Sequence, residues 1–263
     1  MEKKAILVVS FGTSHSDTRE KTIDQIEADI QKAYPEYVLY RAFTSKMIII
    51  LLKNREGINI FTVPEAMEQM KSDGIEEVIV QPTHILNGIE NDIMIRDANL
   101  YKEDFTSILF GAPLLNETVD YHSVINAFVK ELPALTEDEA VVCMGHGTQH
   151  HANAAYAALD YMFKACGYDN VYVATVEAYP SLEDILKQLK RNKYSRIILI
   201  PFMIVAGDHA KNDMAGDGED SWKVILENEG FKVSCIMKGL GENPDIRQIF
   251  VEHIKDARKQ RDG

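Results

Sequence analysis

The sequence predicts an α/β protein of two similar Rossmann-like lobes, each a parallel sheet flanked by helices, related by pseudo-two-fold symmetry around a cleft. Three observations carry that prediction. Short apolar, β-branched runs alternate with longer segments of helical periodicity. The runs are apolar throughout instead of alternating, as strands covered on both faces require. The first half of the chain also repeats, in order, in the second.

The predicted strands are Ala5–Ser10, Tyr37–Phe43, Glu77–His84, Ser107–Phe110, Ala140–Met144, Asn170–Val176, Arg196–Ile204 and Lys232–Met237. Between them, Asp17–Ala33 places Ile23, Ile26 and Ile30 at helical spacing. Further helices are read at Asn91–Leu100, Ala152–Lys164, Leu182–Lys190, Ser221–Glu229 and Pro244–Lys259. Strands and helices in this alternation give layered α/β architecture. The segment Leu132–Glu139, with Pro133 and a run of acids, is the predicted linker. It divides a first lobe, 1–131, from a second, 132–263, which carries the candidate site; the C-terminal helix is free to pack back on the first lobe.

The repeat is read from three matches. Ala5–Thr13 lies over Ala140–Thr148 without a gap, Arg41–Ser45 over Glu177–Ser181, and Val80–Gly88 over Leu199–Gly207, with Gly and Pro in register. Two such lobes imply a cleft at the carboxyl ends of the strands, where open α/β sheets bind ligands.

Composition narrows the function classes. The chain has 263 residues, 46% hydrophobic and 26% charged, enough for a full core without disulfides or a structural metal. A net charge of −13 argues against nucleic acid or an anionic membrane as partner, and leaves an anionic substrate only through a local basic patch. Cys143, Cys166 and Cys235 are odd in number and form no CxxC pair, which suits a reducing cytosol. The run Ala5–Val9 is too short for a signal peptide and leads straight into Gly12-Thr13-Ser14, so a cytoplasmic protein is expected. The longest apolar run, Ile197–Val205, is broken by Pro201 and far below membrane-spanning length. No GxxxxGK[ST] is present, and neither Gly145-His-Gly147 nor Gly239-Leu-Gly241 completes a dinucleotide fingerprint, so neither ATP nor NAD is expected.

The second half holds the chemistry. His146 follows one predicted strand between two glycines; Glu177 ends the next; His209 follows the third in Ala206-Gly207-Asp208-His209. They are 31 and 32 residues apart, the length of one βα unit, so successive parallel strands deliver them to one edge. Two imidazoles and a carboxylate form an open site for a first-row divalent metal. Each alone has a plainer reading: a hydrogen-bonded loop histidine, or a helix-capping carboxylate. The shared position at three strand ends sets them apart. His84 is read either as a satisfied core histidine or as a cleft residue. His15 carries no usable signal, His150 and His151 read as polar residues at a helix start, and the acidic run Asp213–Asp220 as a solvated loop that would suit a lid.

Several motifs resemble one family. They are Val8-Val-Ser-Phe-Gly-Thr13, Arg41-Ala-Phe-Thr-Ser45, Met144-Gly-His-Gly147, Val176-Glu-Ala-Tyr-Pro180, Val205-Ala-Gly-Asp-His-Ala210-Lys-Asn-Asp-Met214, Asp220-Ser-Trp-Lys223 and Gly239-Leu-Gly-Glu-Asn-Pro244. Together they resemble the anaerobic sirohydrochlorin cobaltochelatases, the CbiK family, over essentially the whole chain. The resemblance implies the ferrochelatase-like chelatase fold and ATP-independent insertion of Co²⁺ into sirohydrochlorin, or precorrin-2, on the oxygen-independent route to cobalamin. It places the family's metal ligands on His146, Glu177 and His209, with His146 and Glu177 catalytic. Neutral imidazole can bind a divalent metal and accept a proton near neutral pH, which suits His146 to receive a pyrrole proton.

In the repeat, the first-lobe counterparts of His146, Glu177 and His209 are Phe11, Arg41 and Glu90. That predicts metal on the second lobe and tetrapyrrole on the first, with Ser10, Phe11, Arg41 and His84 as candidate substrate contacts. Arg41 is expected either to meet a substrate carboxylate or to pair with Glu90. The ligand set also accepts Fe²⁺, Ni²⁺ or Zn²⁺, so a sirohydrochlorin ferrochelatase for siroheme is the enzyme alternative. A metal- or tetrapyrrole-binding protein without turnover is the other. A homo-oligomer stays open.

Overall fold

The computed structural model describes residues 3–262. Its eight strands form two four-stranded, all-parallel sheets. In the first, β1 (Lys4–Ser10), β2 (Val38–Phe43), β3 (Glu77–Pro82) and β4 (Ser107–Phe110) lie in the order β2-β1-β3-β4. In the second, β5 (Glu139–Gly145), β6 (Val171–Thr175), β7 (Arg196–Pro201) and β8 (Lys232–Cys235) lie in the order β6-β5-β7-β8. The two orders are the same, so the expected pair of similar α/β lobes is present.

The helices are α1 (Ser16–Lys21), α2 (Ile23–Ala33), α3 (Lys46–Glu56), α4 (Val63–Ser72), α5 (Ile89–Asn99) and α6 (Thr118–Val129), then α7 (Ala154–Ala165), α8 (Leu182–Arg191), α9 (Trp222–Asn228) and α10 (Pro244–Asp262). A π-helical turn spans His209–Met214. The helix read as continuous over 17–33 breaks at Thr22, whose backbone leaves the helical region at φ −123°, ψ −82°. Thr22 is fully buried there, and Gly241 of the second lobe packs on it so closely that a Cβ at 241 would lie 2.8 Å from the threonine Cβ. Among the described residues, no helix is long and apolar enough to cross a membrane.

The strands explain the packing. In β1, Ala5, Leu7 and Val9 face outward against α4 and α5, while Ile6 and Val8 face inward. In β5, Ala140, Val142 and Met144 face α8 and α9, while Val141 and Cys143 face inward. The inward residues of both sheets belong to one shared core, filled from α2, α6, α7 and α10. Each fully buried aliphatic chain contributes about 1.5–3 kcal/mol. Cys143 is one such core residue, and burial pushes its thiol up, out of reach of redox chemistry at neutral pH.

Helix α10 belongs to the second half of the chain but lies on the first lobe. The Tyr34 hydroxyl donates to the Val251 carbonyl at 2.9 Å, Arg247 Nε donates to Asp29 at 2.6 Å, and His253 bridges the Ala112 carbonyl and Asp120. The Gly239–Pro244 motif serves this junction: Asn243 donates to the Ala127 carbonyl of α6, and its Oδ1 accepts from Asp245 N at the start of α10.

Candidate metal centre

The turn after β5 positions His146, the first candidate ligand. Gly147 has φ +86°, and a Cβ there would lie 2.9 Å from both Ala178 N and Thr175 Cβ. The loop after β6 therefore lies flat against this turn. Glu177 N donates to the His146 carbonyl at 2.9 Å, and Val176 N to that of Gly145 at 3.0 Å. The loop is closed by Thr175 Oγ1 donating to the Ala178 carbonyl at 2.6 Å and by Asn153 donating to that of Tyr179 at 2.5 Å. His209 arrives from the loop after β7, as the first residue of the π turn. That helix type is rare and is frequently found at functional sites.

His146, Glu177 and His209 converge. One ligand atom from each lies within 4.8 Å of the other two. The two imidazole rings meet edge to face at 4.6 Å between centroids, and Glu177 Oε2 is 3.8 Å from His146 Nδ1. Among the described residues this is the only group of three or more such side chains able to hold a metal. Metal–ligand bonds of about 2.1 Å would bring tetrahedral ligands to about 3.4 Å of each other, so a metal draws the three inward. The side chains are 42%, 55% and 36% exposed, which makes the centre open on one side.

The far nitrogens fix which atom is offered. His146 Nδ1 is 2.9 Å from the Gly147 carbonyl, and His209 Nδ1 is 2.5 Å from Asp213 Oδ2. With each Nδ1 donating, Nε2 keeps the lone pair on both rings.

The first-lobe candidates are placed differently from one another. Phe11 is 47% exposed on the turn after β1. Ser45 N donates to its carbonyl, just as Glu177 N donates to that of His146, so Phe11 is the true counterpart of His146. Arg41 is not the counterpart of Glu177. It lies within β2, paired with Val8, and its guanidinium bonds Glu27 and Asp24 of α2. The backbone pairing assigns Ser45 to the Glu177 position, because the loop after β6 is four residues longer than the loop after β2. The sequence expectation that Arg41 ends its strand at the cleft, or pairs with Glu90, is therefore corrected: it sits inside β2 and pairs with α2. Burial disfavours its charge, but the carboxylates outweigh burial and raise its pKa; Glu27 is raised by its own burial against the opposing pull of Arg41.

Ser10 is buried, and its Oγ accepts from Thr83 Oγ1 at 2.8 Å, which ties β1 to the end of β3 and withdraws the hydroxyl from the cleft. His84 is neither a satisfied core histidine nor an open cleft residue. Both ring nitrogens are shielded from solvent and lack a hydrogen-bond partner within the described residues. Burial pushes its pKa down to about 4; the Asn91 side chain is close enough to pull it back up but makes no hydrogen bond of good geometry to the ring.

Two residues that sequence reading passed over close the cleft. His15 Nε2 lies 2.8 Å from Asp208 Oδ1, and His150 Nε2 lies 3.3 Å from Asp92 Oδ2. Each pair crosses between lobes. His15 and His150 occupy equivalent places, since each backbone N–H bonds a threonine Oγ1, of Thr13 and Thr148 respectively, at 3.2 Å. The signal was the gapless match of Ala5–Thr13 with Ala140–Thr148, which extends to His15 over His150. Because these contacts join segments that follow strand ends in opposite lobes, with Asp92 in the first turn of α5, the carboxyl edges of the two sheets face one another, with the candidate metal centre on the second.

Comparison with known proteins agrees with this architecture. The sequence model of the cobalt chelatase (CbiK) family matches residues 4–259. The sirohydrochlorin cobaltochelatase of Salmonella typhimurium is 44% identical over 255 residues, 97% of this chain and 96% of that one. The sirohydrochlorin cobaltochelatase CbiKC of Nitratidesulfovibrio vulgaris is 31% identical over 263 residues, 98% and 91% of the two chains. Among solved structures, SirB from Bacillus subtilis with Fe³⁺ shares the fold at a TM-score of 0.67 and 14% identity, covering 99% of this chain and 98% of that one. CbiX, described as the terminal enzyme of siroheme biosynthesis in denitrifying bacteria, does so at 0.54 and 14%, covering 96% and 98%. With a matched family model over nearly its whole length and relatives this similar, the chain belongs to the cobalt chelatase (CbiK) family.

Proposed function

We propose that this protein inserts Co²⁺ into sirohydrochlorin, without nucleotide hydrolysis, at the cleft between its lobes. The observation that carries the reading is the convergence of His146, Glu177 and His209 at the ends of three neighbouring strands in a member of this family. Open N₂O coordination suits a metal that is substrate: the three side chains hold it, and the exposed side lets it leave.

Metallation exchanges two pyrrole protons for one divalent metal, so charge balances when two protons depart. As the metal passes to the ring nitrogens, His146 Nε2 regains its lone pair and takes one proton. Glu177, the most exposed of the three, passes the second to water. The ring lies against the first lobe, with its apolar face on Phe11. The same ligands bind Fe²⁺, Ni²⁺ or Zn²⁺, so metal supply decides which ion is inserted.

The test is anaerobic mixing of the protein with sirohydrochlorin and Co²⁺, followed by visible absorption. The expected result is conversion to the cobalt complex well above the protein-free rate, with no ATP added. Binding of both substrates without accelerated metallation would make the protein a carrier and overturn the reading.

A further inference from the structure

The two histidines of the centre are backed unequally. Behind His146 stands the carbonyl of its own neighbour, Gly147, a neutral acceptor. Behind His209 stands the carboxylate of Asp213, at 2.5 Å. Both residues lie in the π turn His209–Met214, four apart and on one face. Asp213 makes no other side-chain hydrogen bond or ion pair within the described residues, whereas Asp217, in the same stretch, is turned to Lys223. The sequence reads 213–220 as a solvated acidic loop; its first carboxylate instead reaches back to a ligand.

A carboxylate on the far nitrogen of a metal-bound imidazole fixes its tautomer and orientation and makes the near nitrogen a stronger donor. A peptide carbonyl fixes the tautomer but adds no charge. We propose that Asp213 is a positioning residue that makes His209 the holding ligand of the centre. His146, backed only by a carbonyl, is then the ligand that releases the metal and takes up the proton. This inference rests on the proposed metal-binding role of the three side chains and assigns them unequal parts.

The test is a Co²⁺ titration of the anaerobic protein without sirohydrochlorin, read by the visible bands of protein-bound Co²⁺, together with steady-state kinetics. Asp213→Ala is expected to weaken Co²⁺ binding about 10- to 100-fold. It should raise KM for Co²⁺ to match, while kcat at saturating metal and KM for sirohydrochlorin stay within about threefold. Asp213→Asn, which keeps the shape but not the charge, should fall between Asp213→Ala and the unaltered protein, and Asp213→Glu should recover most of the affinity. Asp217→Ala removes an equal charge from the same stretch and should leave binding unchanged. Unaltered Co²⁺ affinity in both Asp213→Ala and Asp213→Asn would overturn the proposal, as would an equal loss in Asp217→Ala, which would reduce the effect to bulk charge. His209→Ala separates the two readings. If it leaves the Co²⁺ bands unchanged, the metal site itself is misassigned; if it abolishes them while Asp213→Ala does not, only the role of Asp213 falls.

Discussion

The two lobes share strand order, turn geometry and even the hydrogen bonds of their loops, yet among the described residues only the second presents a cluster of side chains able to hold a metal. Gly12 and Gly147 both hold positive φ after the central strand, at +102° and +86°. Thr83 N bonds the Val9 carbonyl as Phe202 N bonds that of Met144, both at 2.8 Å. The difference lies in what the common scaffold presents: Phe11 against His146, Ser45 against Glu177, His84 against Met203. A repeated frame can thus be specialised by side chains at a few strand ends and by one loop lengthened by four residues, with the sheets left alone.

The sharpest way to break the comparison is to remove the second lobe's chemistry. His146→Ala should lower metallation at least about a hundredfold, the scale of a lost acid–base group, with the circular dichroism spectrum unchanged because the side chain fills no core. A parallel loss of secondary structure would make His146 structural. Glu177→Gln should weaken Co²⁺ binding while leaving sirohydrochlorin binding within about twofold. On the first lobe, Phe11→Ala should do the reverse, raising KM for sirohydrochlorin about 5- to 30-fold, from the roughly 1–2 kcal/mol of a partly buried aromatic contact. An effect of Phe11→Ala on Co²⁺ affinity would erase the division between lobes.

A second pair of counterparts sharpens it. The Leu114 N–H bonds the His84 carbonyl as the Leu240 N–H bonds that of Met203, both after the third strand of their sheet. Met203 is apolar, whereas His84 buries two unpartnered nitrogens and has its pKa lowered from 6.5 to about 4. For a base with a depressed folded-state pKa, the unfolded chain binds the proton first. Stability is therefore full above about 6.5 and drains away as pH falls toward 4. The loss across that window is about 2–3 kcal/mol. His84→Met, which copies the second lobe, should remove this term. Urea unfolding at pH 7 and pH 4.5 measures it, and equal acid sensitivity in both proteins would assign the lability elsewhere. Arg41 gives the matching structural test: Arg41→Ala should cost about 1–3 kcal/mol by stranding Glu27 and leave KM for sirohydrochlorin unchanged.

The strands were legible among the described residues: β1, β3, β5, β6 and β7, buried almost throughout, are apolar along nearly their whole length, while the edge strands β2, β4 and β8 are only partly covered and were read from shorter apolar runs between helices. Helix α3 was not: Met47-Ile-Ile-Ile-Leu-Leu52 is apolar at every position and has no helical period to read. Helices α4 and α6 were passed over as well, although α4 opens on the Thr62–Glu65 capping box, with Pro64 in its first turn. The clustering of His146, Glu177 and His209 was legible because strand ends fix position regardless of loop detail. The Arg41–Glu177 match failed for the opposite reason. It aligned Ser45 with Ser181, which do cap equivalent helices, and so pushed the four-residue difference in loop length back into the strand. The two crossing histidines stayed hidden because their partners lie across the cleft, where no sequence period reaches; Asp213 stands four residues from His209, but the glycine-rich acidic run 213–220 reads as a loop, so that spacing does not read as helical.

The smallest effect concerns those crossing pairs. Asp208 and Asp92 are 71% and 63% exposed, so each bond to His15 or His150 is worth about 0.2–1 kcal/mol. Global stability should therefore barely move in His15→Ala or His150→Ala. Each does cross from one lobe to the other, beside the cleft proposed to hold the tetrapyrrole. The dissociation rate of cobalt-sirohydrochlorin should rise about 1.5- to 5-fold in each variant, the kinetic equivalent of that range. The pairs have no partner in common, so their effects should multiply in the double variant. Multiplication would mean two independent fasteners, one supplied by each copy of the repeat. A double variant no faster than either single would mean one cooperative closure, and the likeness of the two turns would then extend to a shared motion.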